Sequence, residues 1–265
     1  MIVEFIGAPG AGKTSLMPEV IDLLQEKGIK TFTVVEAARP FASRTILGKL
    51  ITRLTPLAWH YRLLWQLFYR LSELYRLKFF AQHPRLLWTV VSSQRRRPKS
   101  ADIRQRKVLY WFFRTVGYYE FLKSRTTPSE ALIFDEGFVH RVVQLNASGV
   151  EEPDPVQILA YVDLLPQPDM VIFVRAPHPV CEQRIYRRGL WSRFQHKDPA
   201  EISQFVANAC SIVNLTVEHL KNKHWVVVEV DNSVDDLAAS KAELREHILT
   251  QNPSLSREKV QFQPI

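Results

Sequence analysis

A short segment near the start of the chain, from Gly7 to Thr14, contains residue types that commonly bind phosphate groups. Gly7, Gly10, Gly12, Lys13 and Thr14 fit the pattern G-x-x-x-x-G-K-[ST]. In such a loop the glycines let successive main-chain N–H groups turn toward phosphate oxygens, and a helix that follows adds the positive end of its dipole. The pattern therefore predicts a binding site for a nucleoside triphosphate.

Each position of this loop receives a predicted role. Lys13 is expected to reach the β- and γ-phosphates, and the Thr14 hydroxyl is expected to ligate Mg²⁺. ATP and Mg²⁺ are therefore the predicted cofactors. The predicted cofactor-binding residues of the loop are Gly7, Ala8, Pro9, Gly10, Ala11, Gly12, Lys13, Thr14 and Ser15.

The elements that must position the loop lie directly on either side of it. An apolar run before the loop, Ile2 to Ile6, predicts a buried strand. Residues 14–25 after it predict a helix, because Leu16, Val20, Leu23 and Leu24 fall on one face. Strand, loop and helix thus occur in the order that phosphate binding requires.

Four further segments predict the rest of a sheet. They are Lys30 to Glu36, Ala131 to Phe134, Met170 to Val174 and Trp225 to Val230, and helical patterns fill the intervals. Strands that alternate with helices predict an α/β fold, a three-layer, doubly wound, five-stranded parallel sheet. We divide the chain into a core (1–40 and 128–250), a helical basic insertion (41–127) and an irregular tail (251–265).

The predicted insertion carries an unusual charge. The whole chain has a formal net charge of +8, but residues 39–125 contain 19 Lys and Arg and only 3 Asp and Glu. Four of the six tryptophans, Trp59, Trp65, Trp88 and Trp111, lie in the same stretch. Apolar residues spaced by threes and fours between Leu47 and Tyr75 predict amphipathic helices that Pro56 interrupts. Residues 92–102 read as an exposed loop, and residues 107–121 as another helix.

Several explanations of this basic, aromatic stretch remain open. It could bind an anionic small molecule, contact an anionic membrane peripherally, or bind nucleic acid. Alternatively, its aromatic residues form a core that arginines coat. We favour an acceptor-binding insertion that also touches membrane, with nucleic acid less favoured, and a homodimer is kept as an option.

The chain is expected to be cytoplasmic, with peripheral membrane contact as the alternative. The first predicted strand begins at residue 2 with no signal peptide before it, and no apolar run is long enough to span a bilayer. The two cysteines, Cys181 and Cys210, have no metal-ligand spacing, which fits a reducing compartment.

Charged residues follow the predicted strands, where ligands of parallel sheets bind. Glu36 and Arg39 follow the second strand; Asp135 and Glu136 follow the third, with Arg141 on the helix beyond. The fourth strand leads to a segment with four arginines, and the fifth to Asp231. Glu36, Arg39, Glu136 and Arg141 are the predicted substrate-binding residues, and Asp231 is predicted to contact the adenine.

Four segments of the core carry a resemblance to a known family. VCEQRIYRRG (180–189) is similar to the lid segment R-I-Y-x-R-G-R of deoxynucleoside kinases, and VVEAARP (34–40) to their V-x-E-P segment. FDEG (134–137) stands where those kinases have E-R-S and thymidylate kinases have D-R-[FYSH]. PQPDMVIFV (166–174) resembles the thymidylate kinase segment entering the fourth strand. The core thus resembles P-loop kinases of nucleosides and nucleotides.

The resemblance implies a set of catalytic residues. Glu36 matches the carboxylate that takes a proton from the acceptor hydroxyl, Asp135 the acid near acceptor and metal, and Arg184 and Arg188 the lid arginines. Asp135 is therefore also the predicted second metal ligand, and the base is left open between Glu36 and Asp135. With Lys13, these residues are the predicted catalytic set: Lys13, Glu36, Asp135, Arg184 and Arg188.

The chemistry itself also requires mobile cations. A transferring phosphoryl group spreads negative charge over its equatorial oxygens, and the variable positions of the loop supply no arginine. The segment with Arg184, Arg187, Arg188 and Arg193 is the predicted source.

The chain departs from the family in ways that concern the acceptor. Leu190, Trp191 and Ser192 replace an arginine and an acidic pair, FDEG lacks the family's arginine, and the proline after Glu36 is missing. The predicted function is an ATP-dependent kinase of a nucleoside- or nucleotide-like acceptor. The alternatives are a kinase of a sugar or lipid-linked saccharide at a membrane and a nucleotide-switched binding protein. A GTPase is disfavoured because the sequence has no N-K-x-D motif.

Overall fold

A five-stranded parallel sheet is the central element of the computed structural model, which describes residues 1–95, 102–190, 194–234 and 236–251. For residues 102–106 only the backbone is described. The strands are β1 (Ile2–Ile6), β2 (Lys30–Thr33), β3 (Glu130–Phe134), β4 (Met170–Arg175) and β5 (Val227–Asp231). Their order is β2-β3-β1-β4-β5, and all neighbours are parallel. The predicted fold class is confirmed.

Helices connect these strands and cover both faces of the sheet. They are α1 (Lys13–Glu26), α2 (Val34–Ser43), α3 (Ile46–Leu54), α4 (Leu57–Gln82), α5 (Pro84–Arg95), α6 (Asp102–Lys123), α7 (Phe138–Asn146), α8 (Pro155–Val162), α9 (His178–Arg188), α10 (Pro199–Asn222) and α11 (Leu237–Gln251). α1 packs with α11 in one layer, and α7 with α10 in the other. Over the described parts of the chain, no helix combines the length and apolar character needed to cross a membrane.

The second strand is shorter than the sequence indicated. β2 ends at Thr33, and the residues predicted to continue it, through Glu36, begin α2 instead. The reason is a capping box: the Thr33 side chain accepts a hydrogen bond from the Glu36 backbone, and the Glu36 carboxylate accepts one from the Thr33 backbone. Val34 and Val35 favour strands, but the cap satisfies main-chain donors that would otherwise be left without partners at the helix start.

Two of the predicted irregular segments lie only partly within the described residues. The exposed loop predicted from Ser92 begins later, because α5 continues to Arg95. Residues 96–101 of that loop lie outside the described residues, as do residues 252–265 of the predicted tail. Pro56 interrupts the helical pattern as predicted, because it is the N-cap of α4.

The helices of the predicted insertion share the hydrophobic core of the sheet. The ring centroid of Phe79 in α4 lies 5.4 Å from that of Phe138 in α7. Tyr119 in α6 lies 5.4 Å from Phe134 of β3 and 4.7 Å from Phe138. The buried apolar residues of both regions belong to one cluster. Part of the aromatic content is therefore core, as one of the open explanations held, while the domain boundaries remain a prediction.

Candidate functional site

A cleft of about 650 Å³ opens at the carboxyl edge of the sheet, where β1, β3 and β5 end. It brings together residues that lie more than 200 positions apart in the chain. Its lining consists of Pro9, Gly10, Gly12, Lys13, Thr14, Ser15, Asp135, Glu136, His140, Val143, Gln144, Arg184, Arg187, Arg188, Phe205, Asn232, Val234 and Leu237.

The loop before α1 has a shape that only glycine accommodates easily. Gly10 has φ 85° and Gly12 has φ 100°, both in the left-handed region. A Cβ on Gly10 would also collide with the carbonyl oxygen of Cys181 in α9. The loop is therefore held tightly against α9, which carries the arginines of the cleft.

Asn232 fixes the loop from the far end of the chain. It is buried, and its Nδ2 donates a hydrogen bond of 2.7 Å to the carbonyl of Ala11. Its own carbonyl accepts a hydrogen bond of 2.8 Å from Nη1 of Arg184. One residue thus joins the end of β5, the glycine-rich loop and α9.

Asp231 was the residue predicted to act at this strand end, and it does not line the cleft. Its side chain is exposed, accepts a hydrogen bond of 2.8 Å from the Ser233 backbone, and lies 3.6 Å from Arg175. Successive side chains of a strand point to opposite sides, so a shift of one residue exchanges the inward and outward positions. The end of β5 therefore reaches the cleft through Asn232, and the adenine contact of Asp231 stays a prediction.

Lys13 lies at the centre of the cleft, next to two loop carbonyls. Its Nζ donates hydrogen bonds to Gly7 (2.9 Å) and Ala8 (3.3 Å). Burial lowers the pKa of Lys13, and the nearby carboxylates of Asp135 and Glu136 oppose that shift. The charges that act on the amine thus come from the residues after β3 and from α9.

The N-terminus of α1 faces the same space. Its N-cap is Gly12, and no side chain caps this helix end. The first N–H groups of a helix have no partner within the helix, and they form a site for anions. Together with Lys13 this arrangement fits phosphate groups.

Asp135 follows β3 directly and is partly buried in the cleft. Burial raises the pKa of its carboxyl, and the Lys13 ammonium opposes the change. Thr14 lines the same cleft. A hydroxyl and a carboxylate are hard oxygen ligands, and this donor set fits Mg²⁺.

A metal ion bound here would need further ligands in addition to the protein side chains. Within residues whose side chains are described, no group of three or more His, Cys, Asp or Glu could hold a metal ion. Mg²⁺ commonly keeps one or two protein ligands and takes the rest from waters and substrate phosphates. Thr14 and Asp135 therefore suffice for this kind of site.

Three arginines of α9 line the cleft: Arg184, Arg187 and Arg188. Arg184 also anchors the loop after β5, since it donates to the carbonyls of Asn232 (2.8 Å) and Val234 (3.3 Å). The electrostatic influence of Arg188 reaches Lys13 and lowers the pKa of the amine. The predicted fourth arginine, Arg193, lies outside the described residues.

Three of the four predicted substrate residues, Glu36, Arg39 and Arg141, do not line the cleft. Glu36 is exposed, and its carboxylate accepts hydrogen bonds from Thr33, 2.9 Å from the backbone nitrogen and 2.8 Å from Oγ1. Arg39 lies over the ring of Tyr61, with Cζ 4.3 Å from the centroid. The structure thus gives Glu36 a helix-capping position, and the predicted roles of Glu36 and Arg39 stay untested.

Arg141 does not line the cleft but contacts a residue that does. It is buried, and its Nε donates to Oγ1 of Thr115 over 3.0 Å. Its Nη1 donates to Oε2 of Glu136 over 3.2 Å, and Nε2 of Gln144 donates to the same oxygen over 2.8 Å. Arg141 therefore positions Glu136, which does line the cleft.

His140 and Gln144 are cleft residues that the sequence reasoning missed. They lie four residues apart on α7, so they share a helix face, and His140 is five residues beyond Asp135. The spacing of four residues, so soon after Asp135, was the feature of the sequence from which these two cleft residues could have been predicted. His140 is buried, and burial holds its pKa well below the ordinary value, so the ring is neutral at pH 7. Its Nδ1 has no hydrogen-bond partner within the described residues.

The carboxyl of Glu4 is buried and contacts α7, the helix that carries His140 and Gln144. Glu4 of β1 is fully buried, and its Oε2 accepts a hydrogen bond of 2.8 Å from the backbone of Val139 near the start of α7. Its Oε1 has no partner within the described residues. Burial raises the pKa of Glu4 to about 7, against hydrogen bonds from Val139 and Phe138 and the charge of Arg141. This acid caps the helix that carries His140 and Gln144.

Comparisons with known proteins give a fold-level likeness. No protein-family model matches the chain, and no curated protein sequence matches it. Among solved structures, deoxyadenosine kinase from M. mycoides with bound dCTP matches with 13% identity and a TM-score of 0.42, over 96% of this chain and 100% of that chain. The same enzyme with bound dATP matches with 14% identity and a TM-score of 0.43, over 95% and 100%.

Proposed function

We propose that this chain is an ATP-dependent phosphotransferase that passes the γ-phosphoryl group to a hydroxyl or phosphate oxygen of a small molecule. One observation carries the proposal: the cleft combines Lys13 and the open N-terminus of α1 with Asp135 and with Arg184 and Arg188 from α9. Phosphoryl transfer requires these components, namely a cradle for the triphosphate, cations for the developing charge and a carboxylate near the acceptor.

We assign the following roles to the residues of the cleft. The loop and Lys13 bind the β- and γ-phosphates, and Arg188 stabilises negative charge on the transferring group. Arg184 holds the end of β5 against the loop and adds positive charge. Thr14 and Asp135 would hold Mg²⁺, which when bound neutralises charge on the phosphates.

We further propose that Asp135, rather than Glu36, accepts the proton of the acceptor. Asp135 lines the cleft, whereas Glu36 is absent from the lining and is engaged in the cap of α2. A general base must be within hydrogen-bond reach of the proton that it removes.

The acceptor would occupy the part of the cleft that α7 and α10 line. Glu136, His140 and Gln144 offer hydrogen-bonding groups there, and Phe205 offers an aromatic surface. This combination suits a flat ring with polar edges. Nucleosides and nucleoside monophosphates are therefore the first acceptors to test, and sugars and lipid-linked saccharides the second.

The direct test is an acceptor screen that measures ADP release from Mg·ATP by the full chain. A phosphotransferase releases ADP much faster with its own acceptor than without it, and the phosphorylated product appears in equal amount by mass spectrometry. If no acceptor raises the rate and ATP instead promotes binding to vesicles or nucleic acid, the chain is a nucleotide-switched binding protein and the proposal is wrong.

The choice of base is tested with a pair of isosteric substitutions. Asp135→Asn is expected to lower kcat by about 10²-fold or more, since general-base catalysis contributes on that scale. Glu36→Gln is expected to leave kcat within about threefold. The reverse pattern would assign the base to Glu36 and contradict the proposed role of Asp135.

A further inference from the structure

Exposed apolar side chains are concentrated on α3 and the start of α4, outside the residues that line the cleft. We call this surface the α3–α4 corner and define it as residues 46–61. Seven of its apolar and aromatic side chains are between 47% and 82% exposed: Ile46, Leu47, Leu50, Leu54, Leu57, Trp59 and Tyr61. Single exposed apolar residues are ordinary, but seven within sixteen positions are an unusual concentration, and such concentrations are typical of interaction sites.

The sequence of α3 explains why these side chains face outward. Gly48 lies on the inner face, where a Cβ would collide with the carbonyl of Ala42 at the end of α2. At about 100° per residue, Ile46, Leu47, Leu50 and Leu54 fall within about 100° of arc on the outer face. The helix thus packs through its small residue and exposes its large apolar ones.

Cations border this arc, and carboxylates are absent from the segment. Lys49 and Arg53 lie beside Ile46 on the helical wheel, and both are exposed. Between Glu36 and Glu73 the sequence contains six Lys and Arg residues and no Asp or Glu. Within the described side chains, no ion pair involves Lys49, Arg53 or Arg62.

We infer that the α3–α4 corner docks on an anionic lipid surface. An interfacial helix combines an exposed apolar face, flanking Lys and Arg, and nearby Trp and Tyr, and this segment has each of these features. Its apolar side chains would enter the boundary between headgroups and acyl chains, while Lys49 and Arg53 contact anionic headgroups. The inference is independent of the phosphotransferase proposal, because none of these residues lines the cleft.

Charge complementarity favours a lipid surface over a second copy of the chain. A symmetric contact through this corner would bring two sets of unpaired cations together, because an isologous interface places the same patch on both partners. Like charges facing each other without counter-charges oppose such an interface. An anionic bilayer supplies both the apolar layer and the opposite charge.

The test is co-sedimentation of the full chain with vesicles. Vesicles of phosphatidylcholine with phosphatidylglycerol are compared with phosphatidylcholine alone, at low and at high salt. We expect pelleting with the anionic vesicles at low salt, little with the zwitterionic ones, and a decrease as salt screens the headgroups.

Two sets of variants locate the contact. The triple variant Ile46→Ser, Leu50→Ser, Leu54→Ser and the double variant Lys49→Glu, Arg53→Glu are each expected to weaken binding about tenfold or more. The matched controls are Leu74→Ser with Leu77→Ser, which are equally exposed on α4, and Lys27→Glu with Lys30→Glu. Both controls are expected to bind like the unmodified chain, and thermal unfolding checks that every variant folds.

Each other outcome overturns the inference. The unmodified chain could stay in the supernatant with anionic vesicles at low salt, or the control pairs could lose as much binding as the corner variants. A dimer that the triple serine variant dissociates, in a chain without vesicle binding, would assign the corner to self-association. Light scattering after size-exclusion chromatography measures that case directly.

Discussion

The cleft and the α3–α4 corner depart from ordinary burial in opposite ways. In the cleft, polar and charged groups are withdrawn from water: Lys13 and Asp135 have pKa values shifted by burial, and Asn232 is almost inaccessible. In the corner, large apolar side chains such as Leu54 and Leu57 are mostly exposed. Withdrawing charged groups from water costs stability, whereas exposing large apolar side chains forgoes the stability that their burial would add. Each fits the ligand that we propose for it, an anionic phosphate chain in the cleft and an apolar, anionic surface at the corner.

The largest expected effect concerns the lysine of the cleft. Lys13→Ala should lower acceptor-dependent ADP release by about 10³-fold, because it removes the cation next to the transferring phosphoryl group. Vesicle binding should not change. Steady-state kinetics and vesicle co-sedimentation of the same preparation measure the two properties.

The matched control for this change is Lys27→Ala, at the other end of α1. It should retain both activities. If Lys13→Ala also abolished vesicle binding, the cleft and the corner would be coupled, and their independence would be disproved.

The next effect contrasts two aromatic residues of α4. Phe68 is buried, with ring centroids 4.9 Å from Tyr118 and 5.5 Å from Phe121, so Phe68→Ala should lower the free energy of unfolding by about 3–5 kcal/mol. Trp59 is exposed in the corner, and Trp59→Ala should change it by no more than about 0.5 kcal/mol. Urea denaturation compares them. Similar losses would mean that Trp59 is part of the core.

A smaller effect concerns the pH dependence of stability through Glu4. Its pKa is about 7 in the folded chain, against an ordinary value of 4.5 that applies to the unfolded chain. Below pH 4.5 both states hold the proton. As pH rises toward 7 the unfolded chain has released it while the folded chain keeps it, so the free energy of unfolding falls, and above 7 the loss is complete. The difference between the two pKa values corresponds to about 3 kcal/mol.

Glu4→Gln isolates this contribution, because glutamine can still accept the hydrogen bond of Val139 and carries no charge. The charge of Arg141 acts on Glu4, while Tyr119 and Tyr161 stay neutral in this range because burial raises their pKa values. The variant should unfold with a weaker pH dependence between pH 5 and 8 in urea titrations. An unchanged profile would show that Glu4 is ionised throughout.

The smallest expected effect tests the cap of α2. Thr33→Ala and Glu36→Ala should each destabilise the chain by about 1 kcal/mol, and the double variant by less than the total of the two, because both residues form one capping box. Thermal unfolding measures this. If Glu36→Ala left stability unchanged while kcat fell strongly, its predicted catalytic role would return.

The elements that were predicted correctly from the sequence are those with local patterns of residue types. The loop from Gly7 to Thr14 lies between β1 and α1 as predicted, because its glycines act on the local backbone. Of the strands, β1, β3 and β4 were located because residues buried on both faces read as apolar runs. Even so, Glu36 was placed in a strand, since strand propensity of the adjacent valines outweighed a capping signal that Thr33 and Glu36 also displayed.

The amino-acid sequence alone was enough to predict the glycine-rich loop before α1, the alternation of strands and helices and the concentration of positive charge in residues 39–125. These features depend on residue types and short spacings. Only the tertiary structure decided that Asn232 rather than Asp231 reaches the loop, 221 positions from Ala11, and that α3 turns its leucines outward. The physical reason is that strand order, helix rotation and side-chain direction depend on packing between distant elements, where a shift of one residue exchanges the buried and exposed positions.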